Sequence, residues 1–305
     1  MTQVKHQVRP GETGRIDLIV QKLTSRSRTQ VRGLFDHGCV SLNGTLCADA
    51  GTRVEVTNLV TVDYDKSRNY KEKPKVNQSP IFDLVFEDDS LLVIDKKAGY
   101  LTVPNERRDL NTVVAALCRY VSLGKQRHRM VSIIHRLDRD TSGLLVFAKN
   151  DKLAQLIKAQ FEKRKPLREY LAIVAGRLKN PKGTFRSYLA TGKNLDQYST
   201  LDEAHGKLAI THYEVKRSFK DATLVSVTLE TGRRNQIRVH FAEIGHPVLG
   251  DVRYKASLAK HPRWKYNRLA LHAALLGFKH PETGKELVFR SKAPVEFESF
   301  IKNQN

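Results

Sequence analysis

From Lys66 to Ser79 the chain reads KSRNYKEKPKVNQS, polar and basic with a single aliphatic residue. A stretch of that kind buries no apolar surface and reads as a linker. It splits the sequence into two stretches that must each build their own core: a compact segment at 12–65 and a larger one at 80–305, joined by the linker at 66–79. A length of 305 residues allows two domains, and 40% apolar with 28% charged residues supplies real cores. This composition excludes disordered, collagen-like and coiled-coil classes. No internal repeat and no run of eighteen apolar residues is present, so no membrane span is expected.

Lys and Arg total 53 against 32 Asp and Glu, a formal net charge of +21. So large an excess marks a polyanionic partner, most often nucleic acid. The N-terminus, MTQVKHQVRPGETG, lacks the apolar stretch of a signal peptide and the Arg/Ser-rich helix of a transit peptide. The expected location is the cytoplasm. Cys39, Cys47 and Cys118 are too few for a disulfide framework and lack metal-ligand spacing; they read as small hydrophobes in a reducing compartment. The eleven histidines are scattered, and no phosphate-binding loop or dinucleotide glycine cluster occurs. No metal and no cofactor is expected.

In the first segment Ile16, Ile19, Val20 and Leu23 recur with helical spacing. Ser25 or Ser27 caps a second helix carrying Val31, Leu34 and Phe35, and Gly38 suits its left-handed stop. Val40 to Leu42 is a strand, and Asn43-Gly44 signals a tight hairpin. Around the second helix stand Arg26, Arg28, Arg32 and His37, with no acid until Asp36. Such a face is either solvated or set against phosphate, and its nearly uniform sign suits phosphate better. The blocks Arg15-Ile16-Asp17, Ser27 to Val31 and Gly38 to Gly44 resemble the RNA-binding module named after ribosomal small-subunit protein four. That resemblance covers 12–65 and implies a small α/β fold presenting basic helix residues to structured RNA.

The larger segment alternates short apolar strands with separated helices. Strands are expected at Leu84–Phe86, Leu91–Ile94, Val131–Ile134, Leu144–Ala148, Arg168–Val174 and Ala222–Glu230. A helix capped by Asn150 or Asp151 turns Leu153, Leu156, Ile157 and Phe161 inward. A second helix, introduced by Gly232 and ended by Gly245, has Ile237, His240, Phe241 and Ile244 on its inner face. Many strands with few helices predict an α+β domain around a mixed or antiparallel sheet.

Between two of these strands lies His135-Arg136-Leu137-Asp138-Arg139-Asp140-Thr141-Ser142-Gly143. Asp140, Thr141, Ser142 and Gly143 are accounted for as turn residues. Asp138 is not. A carboxylate between two arginines stays ionised even when partly buried, which makes it a candidate nucleophile or base. Tyr170, beside Ala172 and Val174 on a strand, reads by itself as a core aromatic. Arg238 follows the apolar Ile237 on its helix; it is either solvent-facing or a fork-shaped donor to a carboxylate or phosphate. Gln236 and His240 have no assigned role, and Trp264 between Arg263 and Lys265 is a packing anchor or an RNA stacker.

The run His135-Arg136-Leu137-Asp138-x-x-Thr141-Ser142-Gly143-Leu144-Leu145 resembles the signature of the RluA-type pseudouridine synthases. Leu84 to Gly99, Arg168-Glu169-Tyr170-Leu171-Ala172-x-Val174-x-Gly176 and Gly232-Arg233-x-x-Gln236-Ile237-Arg238-Val239-His240 carry it further. So does Gly245-His246-Pro247-Val248-x-Gly250-Asp251-x-x-Tyr254. The similarity spans 80–290. It implies that uridine in RNA is isomerised: N1–C1′ breaks, the uracil turns, and C5 bonds to C1′. It implies Asp138 as catalytic aspartate, Tyr170 as the aromatic packed on the base and Arg238 as the partner of Asp138. The carboxylate either attacks C1′ or takes the 2′ proton. Arg26, Arg28, Arg32 and Arg136 are the expected RNA contacts. The family usually has Thr-His at Arg234-Asn235 and Lys-Pro-Ala-Gly at Lys96 to Gly99; the first departure bears on RNA contacts at 234–235. Members with such an N-terminal module act mostly on large-subunit ribosomal RNA, so that is the expected substrate, with the protein acting as a monomer. Transfer RNA as substrate, and a non-catalytic ribosome-assembly factor, are the alternatives; intact Asp138, Tyr170 and Arg238 speak against the latter.

Overall fold

The computed structural model describes residues 2–47, 49–67, 69–70, 79–105, 109, 111–122, 130–163 and 166–302. The chain forms two compact units, Met1–Pro80 with Val103–Val131, and Ile81–Thr102 with Ser132–Asn305.

In the first unit, helices Ile16–Thr24 and Arg28–Asp36 pack beside a four-stranded antiparallel sheet. Its order is Thr2–Gln7, Leu59–Tyr64, Val40–Leu42, Thr45–Leu46. Ser27, not Ser25, caps the second helix. Its hydroxyl accepts from the Gln30 N–H while the Gln30 side chain accepts from the Ser27 N–H. Ser25 instead ends the first helix with a left-handed backbone, φ 52°. Asn43 and Gly44, both at positive φ, close the hairpin. The core gathers Ile16, Val20, Leu34, Val60 and Val62.

Helix Val113–Ser122 belongs to this unit, although a boundary at residue 80 assigns it to the larger domain. The Arg119 stem lies where a Cβ on Gly38 would stand, 2.3 Å from Arg119 Cδ. Of the expected linker, residues 68 and 71–78 lie outside the described residues. Tyr70 is buried, and its hydroxyl accepts from the Asp65 N–H. Its carbonyl comes so near Gly33 that a side chain there would clash.

The second unit is α+β. Its mixed sheet of eleven strands runs in the order Gln197–Thr200, Lys182–Thr191, Lys207–Ser218, Ala222–Leu229, Leu167–Ala175, Leu271–Lys279, Ser142–Ala148, Leu91–Lys96, Phe82–Glu87. Glu286–Arg290 and Ser132–Ile133 pair at its sides. Ser142–Ala148 is wholly buried and runs parallel to Leu271–Lys279; the other pairings are antiparallel. That parallel contact fixes Gly143. Its φ is +115°, and a Cβ would fall 2.3 Å from the Ala273 carbonyl oxygen.

Asn150 caps helix Asp151–Glu162 by accepting from the Leu153 N–H. Two expectations are corrected. The strand expected at Val131–Ile134 pairs only over Ser132–Ile133, because the chain turns into the loop at 135. The helix after Gly232 spans Gln236–Glu243, and Ile244 is exposed at its C-cap rather than inward.

Candidate active site

Asp138 stands in the loop between Ser132–Ile133 and Ser142–Ala148. Its neighbours are fixed by groups from elsewhere in the same unit. Thr102 accepts from the Leu137 N–H at 3.2 Å and donates to the Leu137 carbonyl at 2.8 Å. The Arg139 carbonyl accepts from the Gly99 N–H at 2.9 Å and from Lys96 Nζ at 2.8 Å. The Leu269 N–H donates to the Asp140 carbonyl. With peptide groups held on both sides, the Asp138 carboxylate has little freedom except at its own χ angles.

Lys96 is fully buried, and its ammonium also donates to the carbonyls of Lys97 and Tyr100. Burial pulls its pKa down to about 7, against the opposing charges of Asp140 and Asp138. Nothing local in the sequence distinguishes Lys96 from the neighbouring, exposed Lys97.

Helix Gln236–Glu243 brings Arg238 to the loop. Arg238 Nη1 donates to Asp138 Oδ2 and to Asn235 Oδ1, each at 3.1 Å. Nε and Nη2 donate to the two oxygens of Asp251 at 2.7 and 2.9 Å. The guanidinium lies over the Tyr254 ring, 5.1 Å from its centroid. Asp251 is the residue that sequence reasoning left without a role. Its side chain has no exposed surface, and its Oδ1 also accepts from the N–H groups of Arg253 and Tyr254. Burial alone would lower the Arg238 pKa, but Asp251 and Asp138 raise it well above the ordinary arginine value. Asp138 remains a quarter exposed, open to a ligand on one side.

Asn235, where the family usually differs, is therefore part of this cluster: its Nδ2 donates to the Tyr254 hydroxyl as its Oδ1 accepts from Arg238. Gln236 is spent on the helix entry. Its Oε1 accepts from Thr231 and the Arg233 N–H, and its amide donates to the Ile210 carbonyl.

Tyr170 lies mid-strand, opposite Val227 on one side and Ala273 on the other, beside a register shift at Glu169. It is buried. Burial raises its pKa, Arg168 opposes that rise, and Asp138 adds to it, so both charges reach the phenol. Tyr170, Arg136, Lys158, Phe161, Arg168 and Arg233 line one cleft of about 660 Å³. The first-named histidine of the motif serves the scaffold: His135 Nε2 accepts from the Val146 N–H, and its ring lies 4.9 Å from that of Phe161. Burial, with Arg168 nearby, drives its pKa down to about 3 and keeps it neutral.

Of the other expected RNA contacts, Arg136 is exposed at the cleft, and Arg28 and Arg32 are exposed one turn apart on their helix. Arg26 is engaged by the fold. It lies 5.2 and 5.3 Å from the ring centres of Tyr64 and Tyr70, and its Nη2 donates to the carbonyls of Asp65 and Lys66. Trp264 is a packing anchor: buried, edge-on to Phe297, and donating to the Arg268 carbonyl. Among the described residues no group of three or more His, Cys, Asp or Glu side chains is placed to hold a metal ion.

The larger unit has the fold of a pseudouridine synthase catalytic domain. It is similar to the solved structure titled human RNA pseudouridylate synthase domain containing 4, with a TM-score of 0.61 over 72% of this chain and 92% of that one, at 22% identity. Residues 90–243 match the RNA pseudouridylate synthase family. The chain is 36% identical to ribosomal large subunit pseudouridine synthase D of Zymomonas mobilis, over 94% of this chain and 93% of that protein. It is 33% identical to the protein of the same name from Vibrio cholerae, over 92% and 88%. An uncharacterised RNA pseudouridine synthase of Bacillus subtilis is 34% identical over 91% and 89%. The chain belongs to the RNA pseudouridylate synthase family, and it is an enzyme that isomerises uridine to pseudouridine in RNA.

Proposed function

We propose that the substrate is a uridine of large-subunit ribosomal RNA, and that Asp138, Tyr170 and Arg238 form the catalytic set. The observation that carries the catalytic reading is the bond from Arg238 to Asp138, with Tyr170 within electrostatic reach of the same carboxylate. Arg238 orients the Asp138 carboxylate, the group that attacks C1′ or removes the 2′ proton. Either route breaks N1–C1′; the uracil then turns, C5 bonds to C1′, and the C5 proton departs. Tyr170, where it lines the cleft, offers a stacking surface for a base drawn out of its helix, a step that costs on the order of a few kcal/mol.

The choice of ribosomal RNA rests on relatives named for it, which match this chain over more than nine-tenths of its length. The N-terminal unit is proposed to be the RNA-binding module, with Arg28 and Arg32 on its exposed helix face and Arg136 at the cleft. The protein is proposed to act in the cytoplasm as a monomer; no described helix is long and apolar enough to cross a membrane. Mapping pseudouridine in total RNA from cells with and without the gene tests the substrate. Loss of a large-subunit site supports it, and loss confined to transfer RNA overturns it.

A further inference from the structure

Arg168 lies two residues before Tyr170 on strand Leu167–Ala175 and lines the same cleft. It is 93% removed from solvent, at 7% relative exposure. A buried guanidinium ordinarily faces a carboxylate, because an unmatched charge out of water is expensive. No described carboxylate forms an ion pair with Arg168. Its Nε has no acceptor. Its Nη2 reaches only the carbonyls of Glu230 and Leu229, at 3.4 and 3.5 Å, both long for a hydrogen bond. By contrast, Arg238 holds two carboxylates, and the buried Arg268 holds the Ser142 hydroxyl at 2.6 Å and reaches Glu296. Below Arg168 lies the Phe161 ring, 5.3 Å from the guanidinium carbon, which supports the group without neutralising it.

Gly232 adds an independent observation. Its backbone is not in the left-handed region, yet a Cβ there would lie 2.6 Å from Arg168 Nη1. The glycine therefore serves space rather than conformation: it leaves that edge of the guanidinium uncovered. Arg136, Lys158 and Arg233 also line the cleft, as do Glu162 and Glu230. Glu230 is itself engaged by His212 at 2.7 Å.

We propose that Arg168, with Gly232 leaving its Nη1 uncovered, is an internal anion site that takes a backbone phosphate of the RNA strand next to the target nucleotide. A phosphate supplies the missing negative charge and two oxygens that fit the planar fork; a uracil carbonyl supplies neither charge nor a second oxygen. Fixing that phosphate sets where the extruded uridine lies along the strand carrying Tyr170, and so places the base before Asp138. This rests on the reading of the chain as an RNA pseudouridine synthase.

The test uses the full chain and a short oligoadenylate carrying one uridine, with and without a neutral methylphosphonate linkage beside that uridine. Arg168→Gln should weaken binding by about ten- to a hundredfold, as expected for one charged hydrogen-bonded contact. It should also lower the slope of log affinity against log salt by about 0.7, as one lost phosphate contact to a single strand does. The neutral linkage should cost the unaltered enzyme a similar factor and cost Arg168→Gln nothing more. Gly232→Ala, which keeps the arginine but crowds Nη1, should reproduce the loss at nearly unchanged Tm, and it carries the test if Arg168→Gln does not fold. Unchanged affinity in both variants, or losses from variant and linkage that simply add, would overturn the proposal. Tritium release from large-subunit ribosomal RNA carrying [5-³H]uridine separates the two readings. The predicted binding pattern without release would refute the synthase and leave the anion site standing; release by Arg168→Gln at unaltered KM and salt slope would do the reverse.

Discussion

Arg238 stands 3.1 Å from Asp138, a residue one hundred positions away, yet it is held more closely by Asp251, at 2.7 and 2.9 Å. The guanidinium fork thus belongs structurally to Asp251, and Asp138 meets the one nitrogen left over. Such an arrangement orients the Asp138 carboxylate without tying up both of its oxygens.

Weakening the grip of Asp251 should therefore harm chemistry more than binding. Asp251→Asn should cut the single-turnover rate by one to two orders of magnitude, on the order of 2 kcal/mol for a charge-assisted contact. Arg238→Met should be worse, and Arg238→Lys should recover only part, because an ammonium cannot hold Asp251 and Asp138 in one plane. Rates measured at saturating enzyme check this. A normal rate for Arg238→Met refutes the pairing's role.

Asp138→Asn keeps the shape of the side chain but removes its charge. Tritium release should fall below detection while RNA affinity and Tm stay close to those of the unaltered protein, since Asp138 is a quarter exposed and its loop is held through Leu137 and Arg139. Activity within tenfold of the unaltered enzyme would contradict the assignment.

Acid should destabilise the larger unit in a defined window. Burial lowers His240 and His272 from 6.5 to about 4, and His135 to about 3. Between about pH 6.5 and 4 the unfolded chain takes up protons that the folded one refuses, so stability is present above this window and is lost as pH falls through it. Each histidine contributes a slope of up to about 1.4 kcal/mol per pH unit. His240→Gln, which can still bond to Thr211 or Ser187, should flatten the fall in Tm; an unchanged slope would show that His240 is not one of the groups responsible.

Gly143→Ala drives a Cβ into the Ala273 backbone and holds an L-residue at φ +115°. It should cost about 3 kcal/mol or more, read as a lower urea midpoint at unchanged slope. A midpoint close to that of the unaltered protein would mean that the parallel pairing at Ser142–Gly143 is not rigid.

Arg28→Glu combined with Arg32→Glu leaves both compact units intact, whereas deleting residues 1–70 would strip the partners of helix Val113–Ser122. The charge reversal should weaken RNA binding several-fold at low salt, with a smaller effect at high salt, and leave the saturated single-turnover rate unchanged. Equal losses at every salt concentration would exclude a phosphate-facing role for that helix.

The Asp138 loop, a cap at Ser25 or Ser27, the Asn43-Gly44 hairpin and several of the strands were legible in the sequence, because each depends on residues close together in the chain: a capping residue, a turn dipeptide, an apolar run between breakers. The motif around Asp138 is local in the same sense. What sequence alone left open was which of two roles a residue plays once faces meet. Residue type and spacing alone left Tyr170 and Arg238 undecided; the resemblance implied that Arg238 partners Asp138, and tertiary packing brings the two together. Arg26 looked like its neighbours Arg28 and Arg32 until Tyr64 and Tyr70 closed around it. Lys96 and Lys97 are adjacent, yet the pleat turns one into the core, where it donates to three carbonyls, and the other to Asp83 at the surface. Helix Val113–Ser122 carries no mark of the unit it joins. Local pattern determined the elements and the motif; which charges are buried, and against what, was decided by contacts between residues far apart in the chain, whose energies no local pattern records.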